Sequence, residues 1–149
     1  MDFISIQEAI EKKKGNVRLR GWVYRERKQK DLVFLILRDS SNIIQTVVKK
    51  DIVSEKEWKD ANKILIESSV ELEGELKEDK RALTGFEVHV SKLNVINFAE
   101  VFPITKDLGE EFLLDNRHLW IRSRRLTAIL KIRSTVFGAI HEYFRKNNF

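Results

Sequence analysis

The sequence predicts a mainly β fold: a five-stranded barrel with one helix inserted between its third and fourth strands, then a connector and a long terminal helix. Three observations carry this. Five segments between residues 17 and 97 either alternate apolar and polar side chains or run as short apolar stretches rich in β-branched residues, as strands do. A segment opening at Ser54 instead spaces its apolar residues as a helix does. After about residue 98 the composition shifts, and residues 126–149 carry one apolar stripe at helical spacing.

The elements follow in order. Ser5 and Glu8 stand three apart ahead of Ala9 and Ile10, a capping-box pattern for a short first helix that Gly15 and Asn16 are predicted to end. From Val17 to Arg25 the chain alternates, with Val17, Leu19 and Val23 on one face and Arg18, Arg20, Trp22 and Tyr24 on the other. Residues 25–31 are polar and basic and are predicted to form a loop. Leu32 to Arg38 is a buried strand, Asp39-Ser40-Ser41-Asn42 is turn chemistry, and Ile43 to Lys49 is the returning strand. A turn of two or four residues places Phe34 and Gln45 on the same sheet face together with Ile36; an odd turn separates them.

Ser54 and Glu57 form a second capping box, followed by Trp58, Ala61, Ile64 and Leu65 on one helical side. Ser69 to Leu76 alternates again, with Val70, Leu72 and Leu76 inward. Lys77 to Gly85 is a charged hairpin loop. Phe86 to Asn97 is the fifth strand, and its apolar parity changes near Lys92, which predicts a bulge. Three strands, a helix and two strands is the element order of an OB barrel.

Residues 99–125 hold the single proline, Pro103, and mixed charge, and read as the connector between a barrel domain (1–98) and a helical segment (126–149). In the latter, Leu126, Ile129, Leu130, Val136, Phe137, Ile140 and Phe144 share one side. A stripe that wide needs a partner surface, expected to lie outside this sequence.

Composition narrows the chemistry. The 149 residues include no cysteine, so disulfides and thiolate metal sites are excluded. A net charge of +5 favours polyanionic partners. No apolar run approaches the roughly 20 residues of a membrane span, and the N-terminus lacks signal-peptide character, so a cytoplasmic setting is expected. His89, His118 and His141 show no ligand spacing, so no metal site is expected. Asp39 and Asp115 read as turn and capping groups, leaving no catalytic residue. Trp22 and Trp58 read as packing, and Arg25, Lys28 and Lys30 as general phosphate attraction.

Several strings, in order, resemble the anticodon-binding barrel of the aspartyl, asparaginyl and lysyl class II aminoacyl-tRNA synthetases. They are residues 21–27 (GWVYRER), 33–39 (VFLILRD), 43–45 (IIQ), 67–74 (ESSVELEG) and 85–90 (GFEVHV). Residues 110–124 (EEFLLDNRHLWIRSR) resemble the asparaginyl enzymes, in particular the archaeal type. The final helix is similar to the start of motif 1, which in the family builds the dimer interface.

That resemblance implies roles. Phe34 occupies the position that stacks on the central anticodon base, Gln45 the position that bonds its Watson–Crick edge, and Arg27 a first-loop arginine that contacts the anticodon. Single-stranded RNA is read in this way, by stacking splayed bases on aromatics and bonding their edges. The implied partner is tRNA, and the implied whole protein is a dimeric ligase that activates asparagine with ATP and Mg2+. The resemblance places motifs 2 and 3, which hold the adenylate chemistry, outside these residues, so no cofactor is expected here. Two other readings stay open at this point. One is an aspartate-specific or relaxed ligase; the other is a free-standing OB module for tRNA or other single-stranded nucleic acid.

Overall fold

A computed structural model describes residues 2–104 and 108–149. The chain divides into two compact units, Met1–Phe102 and Pro103–Phe149. The first unit contains α1 (Ile6–Lys12), β1 (Gly15–Lys28), β2 (Leu32–Arg38), β3 (Ile43–Lys49), α2 (Glu55–Lys63), β4 (Ser69–Glu78) and β5 (Phe86–Asn97). The five strands close into a barrel in the order β1-β2-β3-β5-β4. Neighbours pair antiparallel except β3 and β5, which run parallel. Closure leaves no sheet edge through this circuit.

The alternating pattern explains the core. Leu19, Val33, Leu35, Leu37, Ile44, Leu72 and Val88 are all buried, and Ile6 and Ala9 of α1 with Ala61 and Ile64 at α2 join the same cluster. Both predicted capping boxes form. Ser5 and Glu8 cap α1 reciprocally, as Ser54 and Glu57 cap α2. Glu57 also accepts from Leu93 N–H at 2.8 Å, tying the start of α2 to β5. Gly74 on β4 has no side chain for a steric reason: a Cβ there would overlap the carbonyl oxygen of His89.

Two local expectations are corrected. Gly15 and Asn16 do not end α1. Lys13 does so in the left-handed conformation (φ 64°), its N–H bonding Ile10 O, and Gly15 (φ 99°) already opens β1. The segment after Arg25 is not all loop either, because β1 continues to Lys28 in register with β2. Between Val23 and Arg25 that register slips, leaving Tyr24 as a bulge. The second bulge falls near the predicted position: Glu73 pairs Lys92 while Gly74 pairs Val90, so Ser91 is the extra residue.

The β2–β3 connection is the four-residue turn 39–42. Asp39 organises it, its Oδ1 accepting from Ser41 N (2.8 Å), Ser41 Oγ (2.6 Å) and Asn42 N (2.9 Å). Its Oδ2 accepts from Ile6 N–H at 2.8 Å, binding the turn to the first turn of α1. Burial pushes the Asp39 carboxyl up, but the bonds from Ser41, Ile6 and Asn42 outweigh it and hold the group below the ordinary carboxylate range. The charged form therefore stabilises the fold above the unfolded value of about 3.9, and that contribution disappears as pH falls through the lower folded value. Asp39→Asn is expected to cost roughly 1–3 kcal/mol at pH 7. In urea unfolding the gap to the native chain should shrink at pH 3; a gap of the same size at both pH values would show that the carboxylate is not its source.

In the second unit, α3 (Glu110–Asp115), α4 (Arg117–Trp120) and α5 (Arg124–Lys146) follow. The sequence assigned 99–125 to a connector. The structure places two short helices there, and residues 105–107 of it lie outside the described residues. Ser123 caps α5 by accepting from Leu126 N–H. Along α5, Ile129, Leu130, Val136, Phe137, Ile140 and Phe144 remain exposed.

Candidate nucleic-acid interface

The hairpin register decides which side chains leave the barrel together. Ile36 pairs Gln45 and Phe34 pairs Val47, so with a four-residue turn these four share the outer face while Leu35, Leu37, Ile44 and Thr46 point inward. The bulge at Tyr24 then brings β1 into line. Before it, odd-numbered residues such as Leu19 and Val23 are buried; after it, odd-numbered Arg25 and Arg27 stand outward, opposite Ile36 and Phe34. A bulge that re-aims side chains is a recurrent device near binding sites. Arg38, paired with Glu67 at 3.0 Å, also lies 5.7 Å from the Tyr24 ring.

Parallel pairing with β5 completes two transverse rows. One runs Arg25–Ile36–Gln45–Glu87, the other Arg27–Phe34–Val47–His89. Together with Leu32, Lys49, Asp79 and Arg81 these residues line an open concavity on the barrel wall. All three residues singled out from the sequence, Arg27, Phe34 and Gln45, meet here. The Arg27 guanidinium carbon stands 4.6 Å from the Phe34 ring centroid, so a positive charge lies over the half-buried aromatic ring.

Sequence reasoning missed the far wall. Gln45 Nε2 donates to Glu87 Oε2 at 2.8 Å, and His89 Nε2 lies 2.7 Å from Glu87 Oε1. Asp79 and Arg81, in the β4–β5 loop, bond each other at 3.0 Å. That hydrogen bond from Arg81 holds the Asp79 carboxyl below its ordinary value and the guanidinium above its own. The alternation of Glu87 and His89 with Val88 and Val90 was the available signal; it places the pair outward, but not beside β3.

Other assignments change. Lys28, read as general phosphate attraction, also has a structural bond: its Nζ donates to Ile64 O at 2.8 Å, closing the C-terminus of α2. Trp22, read as packing, is 49 % exposed and outside the concavity, whereas Trp58 packs on the core as expected. Among the described residues no group of three or more His, Asp or Glu side chains could hold a metal ion, and no helix is long and apolar enough to cross a membrane.

An aromatic ring with a cation over it and an amide beside it, on the wall of an OB-type barrel, suits single-stranded nucleic acid. Residues 17–96 match the tRNA anticodon family, described as the OB-fold nucleic acid binding domain. The chain belongs to this family. As a member of the OB-fold nucleic acid binding domain family, it is similar over 135 residues to the asparagine–tRNA ligase of Thermoplasma acidophilum. The two are 50% identical there, over 91% of this chain and 32% of that protein. The crystal structure of asparaginyl-tRNA synthetase from Pyrococcus horikoshii, complexed with asparaginyl-adenylate, superposes with a TM-score of 0.87 at 41% identity. It covers 99% of this chain and 35% of that one. The aspartyl-tRNA synthetase of Entamoeba histolytica matches with a TM-score of 0.85 but only 22% identity, over 100% of this chain and 38% of that one, and shows the fold alone. The chain thus spans about a third of the length of the curated relatives it matches.

Proposed function

We propose that the concave face of the barrel binds the anticodon of tRNA. In this reading Phe34 stacks on the central base, Gln45 bonds its Watson–Crick edge and Arg27 steadies the stack and the adjoining backbone. The carrying observation is that two strand rows bring these three side chains, far apart in the chain, onto one open face. An aromatic ring takes any base, an amide reads an edge by offering both a donor and an acceptor, and a guanidinium answers phosphate.

The whole protein to which this region belongs is proposed to be an asparagine–tRNA ligase. It would activate asparagine with ATP and Mg2+, transfer it to tRNA(Asn), and act in the cytoplasm as a dimer. The relatives at 50% and 41% identity carry the asparagine name, while the aspartyl likeness extends only to the fold, so the asparagine reading is the better supported. The 149 residues by themselves are expected to bind RNA without charging it.

The test is a titration of the full chain with a GUU-anticodon tRNA and with the same transcript carrying an altered anticodon, at one fixed salt concentration because phosphate attraction alone is sequence-blind. The GUU transcript should bind best. Gln45→Ala should lose about 2- to 13-fold, the worth of one neutral hydrogen bond. Equal binding of all RNAs, with no response to Gln45→Ala, would reduce the face to a basic surface and end this reading.

A further inference from the structure

β1 carries outward arginines on both sides of the Tyr24 bulge, and the two pairs meet different neighbours. Arg25 and Arg27 stand opposite Ile36 and Phe34 of β2 and line the concavity. Arg18 and Arg20 stand opposite Glu73 and Glu71 of β4. Arg18 Nε lies 3.3 Å from Glu73 Oε1. The Phe3 ring covers both of these guanidinium groups, its centroid 4.1 Å from the Arg18 carbon and 5.2 Å from that of Arg20. Ile4 N–H bonds Arg18 O at 3.1 Å, which holds the segment bearing Phe3 against β1.

The outward residues of β4 in this stretch are Glu71, Glu73 and Glu75. Carboxylates two residues apart on one strand face are separated by roughly 7 Å. That is shorter than the screening length of about 8–10 Å at ordinary salt, so the three act on an approaching phosphate chain together. Lys92 of β5 stands opposite Glu73, and Asn94 Nδ2 donates to Glu71 Oε2 at 3.4 Å. Lys77 Nζ lies 3.0 Å from Glu75 Oε2. The cations of this wall are therefore set among carboxylates, whereas the β2 neighbours of Arg25 and Arg27 are apolar.

We infer that Glu71 and Glu73 are specificity-determining residues that silence Arg18 and Arg20 toward RNA, so that the phosphate chain docks only on the wall bearing Arg25 and Arg27. The inference rests on the reading that RNA binds the concave face, and it concerns a wall that reads no base. A second wall open to phosphate would take any RNA whatever its anticodon and would compete with the selective mode. One strand thus carries the same residue type in two roles, and the partner strand decides which.

The test titrates the full chain over a series of salt concentrations with a GUU-anticodon tRNA and with the same transcript carrying an altered anticodon. Glu71→Gln with Glu73→Gln removes two negative charges without shortening either side chain. The altered transcript should then bind more tightly, its salt slope steeper by roughly 1.4–1.8, the counterions released by two further phosphates, and the preference for GUU should fall by about threefold or more. Glu11→Gln with Glu55→Gln makes the same change of charge on exposed positions of α1 and α2, and should raise both transcripts alike and leave their ratio standing. Adding Arg18→Gln and Arg20→Gln to the Glu71/Glu73 variant should restore the native ratio and slope. In the otherwise native chain, Arg18→Gln with Arg20→Gln should leave the slope unchanged, while Arg25→Gln with Arg27→Gln should flatten it. Equal flattening by the two arginine pairs would make this wall part of the RNA interface and overturn the inference. A Glu71/Glu73 variant that behaves as the Glu11/Glu55 variant does would overturn it as well. A native chain that binds both transcripts alike ends the anticodon reading alone, and the slopes of the two arginine pairs then decide whether this wall is closed to RNA.

Discussion

Phe34→Ala is expected to weaken binding of a GUU-anticodon tRNA by about 5- to 150-fold, the loss of one base stacked on an aromatic ring. Phe34 stands on the outer wall, half buried, between Arg27 and Val47 in its row. Its ring is the aromatic surface of the concavity, and the Arg27 guanidinium lies over it at 4.6 Å. Removing the ring leaves the cations in place, so binding that depends on phosphate charge should survive. The salt dependence of affinity should therefore stay nearly parallel to that of the native chain, with a constant offset. Stability should fall by no more than about 1 kcal/mol, because the ring contributes cross-strand contacts outside the core. Native-like RNA affinity in a folded Phe34→Ala chain would remove the stacking role.

Leu35→Ala, one residue along the same strand, should do the opposite. Leu35 is fully buried, its side chain turned into the barrel. Its backbone carbonyl accepts from the buried Thr46 hydroxyl at 3.0 Å. Truncating a buried leucine removes its transfer free energy and opens a cavity that a closed barrel collapses around poorly. The expected cost is about 2–5 kcal/mol in urea unfolding, read as a lower midpoint with an unchanged slope. Under conditions where the variant remains folded, its tRNA affinity should match that of the native chain. A Leu35→Ala chain that lost RNA affinity in proportion to Phe34→Ala would show that the two faces of β2 are not separable, and the outer-face assignment would have to be withdrawn.

This opposition of neighbours was legible without coordinates. Period-two alternation sorts β2 and β3 into inner and outer sides, and the turn chemistry of Asp39, Ser41 and Asn42 implied a short hairpin. With four residues in that turn, Phe34 and Gln45 must share a face. The bulge near Ser91 was also readable, because Val88 and Val90 give way to Leu93 and Val95 and the apolar parity visibly changes. The bulge at Tyr24 was not. After Val23 the outward residues of β1 are arginines and there is no apolar partner pattern to register a parity change, so the strand looked like a basic loop.

By itself, then, the sequence determined the presence and order of the five strands, the two capped helices and the buried faces, and allowed the observed hairpin register without deciding it, because these follow from side-chain period and turn residues within a few positions of one another. Only the tertiary structure decided that β5 runs parallel beside β3. That pairing sets Glu87 against Gln45 across 42 positions of sequence and His89 against Val47, and it turns two rows of side chains into one binding surface. The reason is physical: no local pattern encodes which non-consecutive strands become neighbours. Their adjacency comes from closing the barrel so that every strand is paired and the apolar faces meet inside.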